Sequence, residues 1–248
     1  MQINYINQFN ETGYCEIKNF INDNEINVLK KFVNKNLSQN KFNSFFLSSK
    51  SNNNIDKFFI KHKQIEKKLI KILIEISNKL GVVHLKSKKP YYVLRVLHKK
   101  RIEQESLNFH FDSHLITVLI PIIIPKRKNS NNGHFLMIPH KRKITTSIFK
   151  NIIQKIFYQK IIGFFLKKFR SLISIYGFKK VILKPGSLFL FNGFRTLHGN
   201  LDIDIRDTRA TFLVHFYDIF EKSKLVKFNR NLRIKKENKI INKNLNND

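Results

Sequence analysis

The chain has 248 residues, and its 42% hydrophobic composition with 24 Phe excludes a globally disordered chain and supplies enough apolar material for one sizeable core. A single cysteine, Cys15, excludes an intrachain disulfide and any zinc site built on several thiolates, and reads as a small apolar residue. Lys and Arg number 47 against 17 Asp and Glu, a net charge of +30; such a field draws nucleic acid, anionic membrane or anionic small molecules, but charge alone says little about function and a merely solvated lysine surface is the favoured reading. The opening M-Q-I-N-Y-I-N-Q-F-N lacks the basic start and apolar core of a signal peptide, and the apolar run from Leu115 to Pro125 is too short to span a bilayer and holds two prolines. A cytoplasmic protein, soluble or peripheral, is expected.

Residues 12–20, T-G-Y-C-E-I-K-N-F, alternate as a short strand. Asn22 with Glu25 three residues later forms a capping box, flanked by Ile21 and Ile26 as a hydrophobic staple, so a helix follows. Residues 38–54, rich in Ser and Asn, read as a loop. A second helix is expected from about Lys61 to Leu80, with Ile65, Leu69, Ile72, Leu73, Ile76 and Leu80 as its apolar stripe and Gly81 as its stop.

From Tyr91 onward the pattern changes to strands: Y-Y-V-L-R-V-L-H, the run around L-N-F-H-F-D-S-H-L at 107–115, G-H-F-L-M-I-P, V-I-L-K-P-G-S-L-F-L-F-N, and R-A-T-F-L-V-H-F-Y-D. Turn signals at 128–133, 185–186 and 200–207 separate them. Several short strands with such turns predict an antiparallel barrel or jelly roll. Residues 144–177 interrupt it with near-helical apolar spacing at Ile148, Ile152, Ile156, Ile161, Phe165, Phe169 and Ile173, with six Lys or Arg and no acid, and with Gly163 as a predicted break. We read 1–221 as one domain carrying this basic helical insertion, and 222–248 as a basic, flexible tail.

Within the 107–115 run, His110 and Asp112 lie two apart, hence on one face of an extended chain. A plain hydrogen-bonded pair would satisfy them. With His198 in F-R-T-L-H-G-N they form instead two histidines and one carboxylate at strand ends, the facial triad that holds Fe(II) and leaves coordination positions open. Arg209 follows His198 across a turn that lets two strands pair, and Thr211 shares its face. A guanidinium there suits a bidentate grip on a carboxylate. Arg206 is the rival, set aside because it sits in the turn. His114, His134 and His140 read as supporting or structural, with His140 also within reach of a substrate; His215 reads as a sheet histidine, and Tyr92 and Asn192 as packing and turn residues.

Taken in order, F-N-E-T-G-Y-C-E-I-K-N-F-I-N-D-N-E-I, H-F-D at 110–112, N-N-G-H-F-L-M-I-P-H at 131–140, P-G-S-L-F-L-F-N-G-F-R-T-L-H-G-N at 185–200 and R-A-T-F at 209–212 resemble the Fe(II)/2-oxoglutarate-dependent dioxygenases, most closely their phytanoyl-CoA hydroxylase-like branch, over roughly residues 9–218. The resemblance implies a mainly β fold with flanking helices: a double-stranded β-helix (jelly roll, cupin-like) with an N-terminal helical layer. It implies His110, Asp112 and His198 as iron ligands, Arg209 on the distal carboxylate of 2-oxoglutarate with Thr211 beside it, and Asn200 and Arg95 as further co-substrate contacts. O2 would be the other co-substrate and hydroxylation the outcome. Relatives that halogenate carry a non-ligating residue at the carboxylate position, whereas Asp112 is intact.

The substrate expected is a small molecule or a lipid-linked one. No specific nucleic acid is expected, because the aromatics are mostly Phe in apolar runs rather than stacking platforms in basic grooves. The alternative is a non-catalytic jelly-roll module that binds nucleic acid or another anionic ligand. For 144–177 two readings stand open: a helical lid that buries its stripe in its own domain, or a face that meets anionic membrane through Lys150, Lys155, Lys160, Lys167, Lys168 and Arg170.

Overall fold

The local signals near the N-terminus act as the sequence predicts. In the computed structural model, which describes residues 5–40, 44–49, 54–80, 90–98, 106–128, 131–204 and 206–228 with 231, 232 and 235, Asn22 Oδ1 accepts the Glu25 N–H at 2.9 Å and Glu25 Oε2 accepts the Asn22 N–H at 3.0 Å. This reciprocal pair starts α2 (Asp23–Gln39), with Ile21 and Ile26 buried beside it. Ahead of it lie α1 (Tyr5–Thr12), which the sequence reading missed, and β1 (Tyr14–Ile17).

One expectation in the next stretch needs correction. The 38–54 loop contains β2 (Phe45–Ser48), whose Phe45 and Leu47 are buried; four residues among Ser and Asn are too few for period-2 alternation to stand out. The helix expected from about Lys61 to Leu80 is α4 (Lys63–Lys79), and a short helix that was not expected, α3 (Asn54–Lys61), precedes it. The predicted stripe Ile65, Leu69, Ile72, Leu73 and Ile76 is buried, with Leu80 partly so. Gly81 lies outside the described residues, as do part of the 128–133 turn and most of the 222–248 tail, of which residues 224–228 are helical.

The strands are β3 (Tyr91–His98), β4 (His114–Ile123), β5 (Phe135–Ile138), β6 (Lys179–Val181), β7 (Leu188–Asn192), β8 (Leu197–Asn200) and β9 (Thr208–Asp218). They form two antiparallel sheets, one ordered β1-β7-β4-β9-β3-β2 and one ordered β6-β5-β8. The chain switches sheet between β4 and β5, β6 and β7, β7 and β8, and β8 and β9, which is the winding of a jelly roll. One face of the larger sheet, with Leu94, Val96, Ala210, Phe212 and Val214, packs on Leu29, Val33, Ile65 and Leu69 of the helices. Its other face, with Leu119, Phe189 and Phe191, packs on Phe135 and Met137 of the smaller sheet. Functional groups on that inner face therefore lie between the sheets. Pro121 in the central strand β4 cannot donate to the ladder, and the β4–β9 register shifts between Pro121 and Ile123.

The strand expected over 107–115 is not continuous. His110 bridges His198 of β8 at the edge of the smaller sheet, whereas β4 of the larger sheet begins only at His114. Residues 111–113 are the crossing between sheets, so they cannot join either ladder for long.

Between β5 and β6 the backbone is helical without interruption through α5 (Ile148–Lys155), a π-helical stretch (Ile156–Ile162) and α6 (Gly163–Lys168), followed by α7 (Leu172–Ile175). Gly163 does not break it: φ is −60° and ψ −37° there, and the turn falls at Phe169. Tyr158, Ile162 and Leu166 pack on Phe109 and Phe111. Of the predicted stripe, the two ends, Ile148 and Ile173, pack against the core, whereas Ile152, Ile156, Ile161, Phe165 and Phe169 are all exposed.

Cys15 is fully buried on β1 opposite Leu190 of β7, and burial pushes its thiol up to about 12. A raised pKa keeps the thiol neutral at lower pH, so the native protein is expected to be inert to Ellman's reagent at about pH 8 and to release one equivalent on unfolding. Labelling of native protein at the rate of free cysteine would contradict this placement of β1.

Candidate metal centre

The antiparallel bridge between His110 and His198, closed by N–H···O bonds of 2.9 and 3.0 Å, brings two histidines 88 positions apart onto one spot. Asp112 arrives through its own backbone, its N–H donating to Gly193 O at 3.0 Å. One ligand atom from each of His110, Asp112 and His198 lies within 4.8 Å of the others. The Nε2 atoms approach Asp112 oxygens at 3.9 Å from His110 and 3.7 Å from His198. Both Nδ1 atoms are engaged by carbonyls, His110 with Asn108 O at 2.8 Å and His198 with Thr196 O at 3.0 Å. A carbonyl only accepts, so each Nδ1 carries a proton and each Nε2 is the ring nitrogen turned toward the cluster. That is the arrangement a metal-binding imidazole requires. Burial, with His198 beside it, drives the His110 pKa down to about 3 against the opposing pull of Asp112, so the ring is neutral. Burial alone would raise the Asp112 pKa; the facing His198, His215 and His110 and the Thr117 hydroxyl overcome it and hold the carboxylate ionised. The donor set is thus two imidazoles and one carboxylate, which fits a divalent ion of the Fe(II) type. The His110 side chain is 36% exposed, which leaves this corner open to solvent.

The carboxylate is braced from behind by groups that the sequence reading passed over. Thr117 Oγ1 donates to Asp112 Oδ2 at 2.6 Å, and His215 Nδ1 lies 3.2 Å from the same hydroxyl. Because the hydroxyl proton goes to Asp112, His215 donates its Nδ1–H to Thr117. The two residues are directly paired across β4 and β9. His215 in turn stacks on His114, at 5.1 Å between ring centroids. Gly193 passes so close that a Cβ there would sit 2.3 Å from Thr117 Oγ1 and 2.6 Å from Asp112 Oδ2. His215 is therefore more than the plain sheet histidine expected. The available signals were weak: Thr117 is the polar residue inside I-T-V-L-I, and His215 shares the period-2 face of Arg209 and Thr211.

Arg209 is 1% exposed on the inner face of β9. Its Nη2 donates to Asn200 Oδ1 at 2.9 Å, while Nε and Nη1 find no hydrogen-bond partner among the described residues. Asn200 shares a face of β8 with His198, by period 2. Burial and the nearby Arg95 lower the Arg209 pKa to about 9. Thr211, also buried, is paired with Arg95 of β3. A cation this deeply buried with two donors unused costs on the order of several kcal/mol unless an anion joins it. The unmatched donors of this guanidinium suit a carboxylate or similar oxyanion. Gly133 is needed for it: with φ +64°, a Cβ there would lie 2.4 Å from Arg209 Cδ. The rival Arg206 is exposed and held by Asp204 at 2.9 Å.

Arg142, also missed, is buried between the rings of Phe111 and Phe194, at 4.2 and 3.8 Å from their centroids. It donates to Phe194 O and Asn151 Oδ1, and reaches the Asp112 carbonyl at 3.5 Å. It thereby ties α5 to the crossing segment that carries the metal ligand. His134 and His140 have other contacts: His134 Nδ1 accepts the Leu183 N–H, and His140 packs against Gly13. Tyr92 donates to Glu66 and Asn192 caps the turn at Arg195, the packing and turn roles expected of them.

Solved structures share this fold at low identity. AviO1 from Streptomyces viridochromogenes Tue57 matches over 86% of this chain and 93% of its own, with TM-score 0.58 and 12% identity. A prolyl 4-hydroxylase from Phytophthora capsici matches over 93% of this chain and 72% of its own, with TM-score 0.57 and 11% identity. The non-heme alpha ketoglutarate dependent epimerase SnoN from nogalamycin biosynthesis, solved also with Fe3+, alpha ketoglutarate and nogalamycin RO, matches over 86% of this chain with TM-score 0.52. No family model and no curated protein matches the sequence.

The brace behind Asp112 gives a prediction. Thr117→Val keeps the volume but removes the hydroxyl, and divalent metal affinity, read by calorimetry with Mn(II), is expected to fall about 10–100-fold with the far-UV circular dichroism unchanged. Unchanged affinity would mean that Thr117 does not orient the carboxylate.

Proposed function

We propose that the chain is an Fe(II)- and 2-oxoglutarate-dependent oxygenase that hydroxylates a small-molecule substrate. The observation that carries this is the buried Arg209 guanidinium with two unused donors, set between the sheets beside a two-histidine, one-carboxylate cluster. A metal site alone fits many activities; a metal site with an adjoining pocket for a carboxylate fits a keto-acid co-substrate. Folds shared with an alpha ketoglutarate dependent epimerase and a prolyl 4-hydroxylase support the same reading. The nearer assignment to the phytanoyl-CoA hydroxylase-like branch rests on the order of H-F-D, H-G-N and R-A-T-F in the sequence.

In this reading His110 and His198 hold the ion through Nε2 and Asp112 through its carboxylate. Bound iron supplies the oxygen activation that no protein side chain can perform. Everything else falls to the chain. Arg209 takes the distal carboxylate of 2-oxoglutarate in a charge-assisted pair, with Asn200 fixing the guanidinium plane through Nη2. Thr211 and Arg95 line the same approach, and Arg95 adds positive charge that favours a dianion. The Nδ1–H bonds to the Asn108 and Thr196 carbonyls keep both rings aimed with Nε2 toward the cluster. The apolar residues on either side, Phe135 and Phe191 against the His198 ring, keep water away from it. Lipid-linked compounds are the substrate class we favour among small molecules, because the helical segment tied to the metal strand is apolar on its outer side.

Anaerobic protein with Fe(II) and 2-oxoglutarate is expected to show a weak visible charge-transfer band, and with O2 to form succinate. His110→Ala, Asp112→Ala and His198→Ala should each abolish both signals. A folded wild-type protein with neither signal would refute the reading. Arg209→Met removes the guanidinium while filling its space. It is expected to raise the KM for 2-oxoglutarate by about 100-fold or more, as loss of a buried charged hydrogen-bond pair does, while Mn(II) affinity stays unchanged. A normal KM in that variant would place the co-substrate elsewhere.

A further inference from the structure

The helix from Ile148 to Lys168 is apolar on both sides, and only one side is used by the fold. Its inner side packs Tyr158, Ile162 and Leu166 on Phe109 and Phe111. Its outer side is open to solvent, with Phe149 at 75%, Phe164 at 62% and Ile156 at 52% exposure. Of the sixteen exposed large apolar residues among the described residues, eleven fall between Ile144 and Ile175. Scattered exposed apolar residues are ordinary, but a contiguous concentration marks a contact surface. The predicted stripe stays in line because its one five-residue step, Ile156 to Ile161, coincides with the π-helical stretch Ile156–Ile162. The wider turn absorbs the extra residue, so Ile152, Ile156, Ile161, Phe165 and Phe169 emerge together.

Charge decides what can cover this surface. Residues 144–177 hold six Lys or Arg and no acid, and Lys150, Lys160, Lys167 and Lys168 are exposed. A second copy of the chain would set these cations against their own kind with no carboxylate to pair them. The chain's own C-terminal residues 222–248 carry nine Lys or Arg against two acids and are repelled likewise. Nucleic acid would meet the charge but not the Ile side chains, which cannot stack on bases. An amphipathic helix with bulky apolar groups flanked by lysines fits a bilayer whose headgroups are anionic and whose acyl boundary takes the Phe and Ile side chains. No helix among the described residues is long and apolar enough to cross a membrane, so the contact would be interfacial.

We propose that the outer face of residues 148–169 docks the protein on anionic lipid membranes. The inner side of the same helix touches the metal strand: Tyr158 meets Phe111 edge-on at 5.4 Å, Lys155 Nζ reaches Ser113 Oγ at 3.3 Å, and Asn151 holds Arg142. Docking would hold the open corner at His110 near the lipid surface. That consequence, a substrate drawn from or anchored in the bilayer, rests on the oxygenase reading; the docking itself does not.

The test is co-sedimentation of the full chain with phosphatidylcholine vesicles with and without phosphatidylserine at physiological salt, with no iron or co-substrate, so its outcome is independent of catalysis. Binding is expected only with phosphatidylserine. Phe164→Ser with Phe165→Ser should weaken it at least about tenfold, and Lys160→Gln with Lys168→Gln by about tenfold or more. All four positions are exposed, so the variants are expected to keep the wild-type circular dichroism. No binding to the phosphatidylserine vesicles overturns the proposal. Binding indifferent to the Phe substitutions also overturns it, because general basic charge would then be responsible. A wild-type dimer in sedimentation velocity that the Phe substitutions convert to monomer would assign the face to a second copy instead.

Discussion

Asp112 occupies the point where the chain leaves the smaller sheet and enters the larger one, and the geometry of both sheets meets in its carboxylate. Its N–H is held by the β7 end at Gly193 and its Oδ2 by Thr117 of β4. Arg142 reaches its carbonyl from the side of α5. Taking an ionised carboxylate out of water is costly, and here the cost is offset by a hydroxyl donor and by three imidazoles facing it. The crossing cannot be regular strand, because its hydrogen bonds must serve two ladders in turn. That irregularity lets His110, Asp112 and His198 converge, where a straight ladder would space them along a sheet.

The opposite electrical situation lies further along the same interior. Arg209 brings a positive charge into the core, with Asn200 receiving Nη2 and no partner for Nε or Nη1 among the described residues. The interior between the sheets thus has an anionic end with bases attached and a cationic end with open donors. With a divalent cation held at the first end, a small dianionic chelator would satisfy both. The net charge of +30 acts at longer range: it raises the local concentration of anionic ligands of any kind and contributes rate more than selectivity.

What the sequence made legible was local or strictly periodic. The Asn22–Glu25 cap depends on four residues and was plain; so was the α4 stripe. His110, Asp112, His198 and Arg209 could be picked out because polar groups in apolar strands demand partners. β2 was not, being four residues long, and the pairing expected between the strands of His198 and Arg209 is not made, because β8 and β9 belong to different sheets. Thr117, His215, Arg142, Gly133 and Gly193 were missed for another reason. Each acts through a contact across strands or between a strand and a helix, and no spacing along the chain reports it. The outward stripe of 148–169 was seen but its direction was not, since periodicity says that a face exists and not which way it points.

The π-helical stretch Ile156–Ile162 sets the phase of everything after it. In a helix each residue advances the azimuth by about 100°. Removing one residue from that stretch, with the rest of the sequence untouched, would let the turn tighten to α geometry and swing the downstream half by that angle. Phe165 and Phe169 would leave the line of Ile152 and Ile156, and the inward anchor Leu166 would be turned off Phe109 and Phe111. A length change of one residue here is therefore equivalent to changing the character of two faces at once. Substitutions that preserve length leave the azimuths alone. In this part of the chain, residue count constrains the surface more tightly than residue identity does.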